Sequence, residues 1–196
     1  GSLVGITDGD TVGLTGTPSY AFATAGVGTN IVVNTTSFTL NGADAANYSL
    51  TQPTLSANIT AASLTINGLT AANKAYDGGT DATATGTASL VGITDGDTVG
   101  LTGTPSYAFA TAGVGTNIVV NTTSFTLNGA DAANYTLTQP TLSANITAAS
   151  LTINGLTAAN KAYDGGTDAT ATGTASLVGI TDGDTVGLTG TPSYAF

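Results

Sequence analysis

One stretch of this chain occurs three times. SLVGITDGDTVGLTGTPSYAF begins at Ser2, at Ser89 and at Ser176, a period of 87 residues. Residues 2–109 match 89–196 at every position but one, Ser49 against Thr136. No other property of the sequence restricts the fold so strongly. The period is much longer than one coil of a solenoid and has the size of a small autonomous domain, so a string of beads is expected. A frame starting at Leu64 gives three segments: 2–63, a repeat lacking its first strands; 64–150, a complete repeat; and 151–196, a repeat lacking its last strands.

Within the repeat no stretch sustains a 3.6-residue apolar period, while alternation of period two recurs. Strands are expected around Leu64–Ile66, Ala82–Leu90, Val99–Phe109, Ile118–Val120, Phe125–Leu127, Tyr135–Leu137 and Leu142–Ile146. Asn67-Gly68, Asp77-Gly78-Gly79, Asp95-Gly96-Asp97, the stretch 112–115 and Asn128-Gly129 supply turns between them. About seven short strands in such a length fit tandem small antiparallel β-sandwich domains of immunoglobulin-like type. A β-grasp-like small all-β domain is the alternative. Asp131, four residues before Tyr135 and just ahead of the penultimate strand, resembles an immunoglobulin-type corner in which the tyrosine hydroxyl bonds back to the corner backbone. The expected core is Leu64, Ile66, Leu69, Tyr76, Leu90, Ile93, Val99, Leu101, Tyr107, Phe109, Ile118, Val120, Phe125, Leu127, Tyr135, Leu137, Leu142 and Ile146.

Composition removes whole classes of function. The sequence has no His, Cys, Met, Trp, Glu or Arg; its acids are all Asp and its bases are two Lys, for a net charge of −10. Zinc and haem ligation, disulfides, and Ser-His-Asp or Cys-His catalysis are therefore excluded. The acidic balance argues against nucleic acid and anionic membrane surfaces as partners. With 41% hydrophobic residues there is enough apolar side chain for cores, yet no apolar run approaches the roughly 20 residues of a bilayer span. No membrane insertion is expected in this segment.

Three motifs carry a resemblance. Asn73-Lys74-Ala75-Tyr76-Asp77-Gly78-Gly79-Thr80, then Gly129-Ala130-Asp131-Ala132-Ala133-Asn134-Tyr135-Thr136-Leu137, then Pro140-Thr141-Leu142-Ser143-Ala144-Asn145-Ile146-Thr147, resemble in that order the YDG-type tandem repeat of bacterial filamentous-haemagglutinin-like exoproteins and adhesins. The family usually has one Gly after Tyr-Asp; this chain has two. The resemblance implies a secreted or surface-anchored bacterial protein whose repeats serve as stalk or fibre, and it brings no catalytic residues.

Few side chains offer chemistry. Asp95 and Asp97, with their copies Asp8 and Asp10, and Asp182 and Asp184, are the densest charge. Paired carboxylates about a Gly are hard oxygen ligands suited to Ca²⁺, the one cofactor the sequence suggests, although Ca²⁺ takes about six to eight oxygens and no EF-hand pattern is present. A solvated hairpin turn is the other reading. Lys74 and Lys161 each precede Tyr-Asp-Gly. Lys74 on an early strand and Asn145 on the last are candidates for an isopeptide bond, against the plainer reading of a solvent-facing Lys. Thr83, Thr85 and Thr87 form a short Thr row, read as an ordinary exposed sheet face.

The functional expectation is a structural repeat segment, not an enzyme, in a bacterial extracellular fibre or surface adhesin stalk. Its partners would be copies of itself head to tail, or neighbouring repeats of the same chain, with the ordered state polymeric or part of a longer repetitive chain. The alternative is a multivalent module with a weak glycan or receptor site on each repeat, for which exposed Tyr76 or Tyr107 would be the sign.

Overall fold

The structure, a computed structural model, describes residues 2–195; Gly1 and Phe196 lie outside the described residues. It is all-β. Ahead of the complete repeat come β1 (Gly13–Thr15), β2 (Ser19–Phe22), β3 (Gly28–Thr36), β4 (Thr39–Asn41) and β5 (Leu55–Ile59). Then follow β6 (Ala62–Ala71), β7 (Lys74–Ala75), β8 (Ala84–Val91), β9 (Gly100–Phe109), β10 (Gly115–Asn128), β11 (Tyr135–Thr138) and β12 (Thr141–Thr147). The last copy contributes β13 (Thr152–Ala158) and β14 (Ala171–Val178). Helix is confined, among the described residues, to the single 3-10 turns Ala45–Asn47 and Ala132–Asn134. None is long and apolar enough to cross a membrane.

The backbone gathers into two compact units. The first contains the residues up to Leu64, Gly92–Gly100 and Leu127–Thr138. In it β1 pairs antiparallel with β4, and β3 lies between β2 and β5. The start of β6 meets β11 here, where Thr136 Oγ1 donates to the Ala62 carbonyl at 3.4 Å.

The second unit contains Thr65–Val91, Leu101–Thr126 and the residues from Gln139 onward. A four-stranded sheet runs β7-β12-β10-β9, β6 pairs with β8, and β13 pairs with β14. Phe109, Val120, Ala144 and Ile146 form its buried cluster, with Tyr76, Tyr107, Ile118 and Leu142 packed around them. Their alternation explains the strands: each places one side chain in two against the apolar layer.

Six expected core residues are buried: Leu64, Ile66, Phe109, Val120, Tyr135 and Ile146. Ile93 is exposed instead, and Ala144 and Thr122 are buried without having been expected. Three local features also differ from expectation. Ile118–Val120 and Phe125–Leu127 are one strand, β10, and not two. The inward face passes from even positions (118, 120, 122) to odd ones (125, 127), and Ser124 at φ 70° makes that change. Gly103 stands opposite at φ 108°, and a Cβ there would collide with the Ser124 carbonyl. The sheet is not wholly antiparallel, since β7 pairs parallel with β12, Lys74 beside Ile146. Finally, the Tyr135 hydroxyl does not return to its own corner; it reaches the turn at 94–97.

Candidate functional site

The polar side chains converge on turns. In Asp95-Gly96-Asp97 the Asp97 N–H closes on the Thr94 carbonyl at 3.1 Å. Tyr135 Oη donates to Asp97 Oδ2 at 2.5 Å and accepts the Thr94 N–H at 2.9 Å. Asp131 Oδ2 accepts the Thr98 N–H at 2.8 Å. One tyrosine and one aspartate thus tie the 131–135 corner to the turn at 94–98, satisfying backbone donors that no strand pairs. The earlier copy repeats this: Tyr48 Oη donates to Asp10 Oδ2 at 2.5 Å and accepts the Thr7 N–H at 2.9 Å, while Asp44 holds the Thr11 N–H at 2.8 Å.

Of the candidate Ca²⁺ ligands, Asp10 and Asp97 are therefore hydrogen-bond acceptors for tyrosine. Asp184 takes a different one: Tyr76 Oη donates to Asp184 Oδ1 at 3.1 Å. This bond, followed by partial burial, holds the Tyr76 hydroxyl above the usual phenol range. Asp8, Asp95 and Asp182 are exposed at the tips of their turns. Among the described residues, no three acidic side chains are grouped to hold a metal ion. One carboxylate of each turn is engaged by a tyrosine, and the two carboxylates of a turn supply fewer than the roughly six to eight oxygens that Ca²⁺ takes.

Lys74 is part of a second small network. Its Nζ donates to Asp77 Oδ1 at 2.7 Å and to the Gly79 carbonyl at 2.9 Å, and stands 5.6 Å from the centre of the Phe109 ring. Asp77 Oδ1 also accepts the Gly79 N–H at 2.9 Å. These contacts, the Lys74 hydrogen bond foremost, hold the Asp77 carboxyl below its usual range. Lys161, Asp164 and Gly166 repeat the clamp, and Asp164 is lowered in the same way, first by Lys161. Asn145 faces other partners: its Oδ1 accepts the Asn117 N–H at 2.8 Å, and its own N–H donates to Asn73 Oδ1 at 2.7 Å. Lys74 and Asn145 lie on the paired strands β7 and β12, but the structure directs their side chains into separate hydrogen bonds.

Two participants escaped sequence reasoning. Asn134 Oδ1 accepts the Val27 N–H at 3.0 Å, a contact from one copy to the next. Thr94 presents backbone to Tyr135, which a sequence motif cannot signal. The demand of a buried tyrosine hydroxyl for a partner was the one available sign.

Comparison with known proteins adds a family. The model described as YDG domain matches residues 1–55, 60–142 and 147–196. No curated protein and no solved structure matches the chain.

Proposed function

The chain belongs to the YDG domain family, and from that premise we propose that it is a structural repeat segment of a bacterial extracellular fibre or surface adhesin stalk. The observation carrying this reading is the repeat itself: residues 2–109 and 89–196 differ at one position. Such uniformity serves length and spacing better than recognition of varied targets. The polar side chains support it, because Tyr48, Tyr135, Asp44, Asp131 and the two Lys clamps hold backbone turns in place. We assign it no enzymatic activity and no cofactor, and place it outside the cell, at the surface or secreted. Its partners are neighbouring repeats of the same chain or further copies head to tail.

At the level of fold we propose tandem immunoglobulin-like sandwiches, divided at 64 and 150, in preference to a β-grasp arrangement. The support is that the strands of the complete repeat fall in two sheets, β7-β12-β10-β9 and β11-β6-β8. A multivalent sugar- or receptor-binding role has less support. Tyr76 and Tyr107 are half-buried in the core cluster, so neither offers a flat aromatic platform. The test is low-resolution imaging of the intact assembly. A beaded filament is expected, and a compact globule would overturn the structural reading.

A further inference from the structure

We propose that the Tyr-Asp-Gly loop of one copy docks on the Asp-Gly-Asp turn of the next, its tyrosine hydroxyl bonding the second aspartate as a clasp between successive repeats. The inference deepens the structural reading above and rests on it, since it names the partner of each turn as the neighbouring copy.

Two separate places in the chain carry it. The first is the bond from Tyr76 Oη to Asp184 Oδ1, which joins residues 108 apart. With a period of 87, Asp184 is the counterpart of Asp97 one copy later, so the bond crosses from one repeat to the next. The loop itself is close to that turn: a Cβ on Gly78 would stand 3.0 Å from Thr181 Cγ2, and Thr181 opens the turn.

The second place is the preceding junction, where the Val27 N–H bonds Asn134 Oδ1. A cleft of about 570 Å³ lies beside that contact, lined by Val27, Thr94, Asp97, Asn134 and Tyr135 among others. Thr94 and Asp97 are the counterparts of Thr181 and Asp184, the residues that meet the Tyr76 loop. The cleft therefore lies where that loop sits one copy later, and a Tyr-Asp-Gly loop from the preceding copy is its fitting occupant.

The chemistry allows both tyrosines at once. The corner tyrosine uses only Oδ2, in Asp10 and in Asp97 alike. The clasp uses Oδ1 in Asp184. A carboxylate has lone pairs enough for both donors. Tyr163 supplies an internal control: it is the same residue one copy after Tyr76, and it is 98% exposed.

The test is hydrogen exchange of the full chain, read on the amides of 176–184. Tyr76→Phe and Asp184→Asn should each speed exchange there about fivefold, the size expected for one lost hydrogen bond. The double variant should add little to either, and Tyr163→Phe should change nothing. Unchanged exchange in Tyr76→Phe, an equal effect from Tyr163→Phe, or full additivity of the two changes would overturn the clasp. The readout is independent of particle shape. A beaded filament with no coupling sinks the clasp alone, whereas a compact globule with coupling sinks the fibre reading alone.

Discussion

Two hairpins in this molecule have the same sequence and different structures. Residues 13–22 and 28–41 are identical to 100–109 and 115–128. In the complete repeat they form two unbroken strands, β9 and β10. In the earlier copy each is divided, into β1 and β2 and into β3 and β4. Phe109 is 3% exposed and its twin Phe22 is 43% exposed. Gln139 bonds both the N–H and the carbonyl of Phe125, whereas among the described residues Gln52 bonds only the carbonyl of Phe38. Local preference is the same in both, so the difference is tertiary. The complete repeat has β7 and the 76–82 segment: the Phe109 N–H bonds the Thr80 carbonyl at 2.7 Å, and Tyr76 and Ala82 pack on the core. Strand continuity here depends on having a neighbour to pair with, as is usual for β structure.

The largest expected effect tests that contrast directly. Phe109→Ala should cost about 3–5 kcal/mol in denaturant unfolding, and Phe22→Ala less than about 1 kcal/mol. Equal losses would break the comparison. The corner sharpens it in the opposite sense, because both copies hold it with matching bonds. Tyr135→Phe and Tyr48→Phe should each cost about 1–2 kcal/mol, since each leaves an aspartate without its hydroxyl and a backbone N–H without its acceptor. A cost confined to Tyr135 would mean that the corner, too, needs the complete repeat.

Smaller effects follow. Among the described residues Thr122 Oγ1 is buried with no hydrogen-bond partner, so Thr122→Val should raise stability by about 1 kcal/mol. A loss would show that the hydroxyl has a partner. Acid should then act on the lysine clamps. Asp77 and Asp164 have folded values held below the usual carboxylate value of about 3.9. Their contribution is present above that value and is lost as pH falls through the folded one. Asp77→Asn and Asp164→Asn should flatten the melting temperature's decline below about pH 4, and an unaltered decline would remove the clamps from the account. The smallest expected effect is none: a chelator should leave the melting temperature unchanged, whereas a clear drop would restore Ca²⁺ to the Asp-Gly-Asp turns.

Much of this architecture was legible in residue order. The period, the all-β class, most strand positions and the burial of Leu64, Ile66, Phe109, Val120, Tyr135 and Ile146 follow from alternation and turn residues, which are local properties. The chain alone determined that Tyr135 and its aspartates would matter, but not who would meet whom. That Asp131 holds Thr98 while Tyr135 crosses to Asp97 depends on two loops brought together from 33 to 38 residues apart. That Lys74 closes on Asp77 and Gly79 while Asn145 turns to Asn117 depends on the parallel pairing of β7 with β12. The same limit explains the two hairpins: identical residues carry identical local preferences, and only tertiary neighbours decide which strand edges are paired and which phenyl ring is covered.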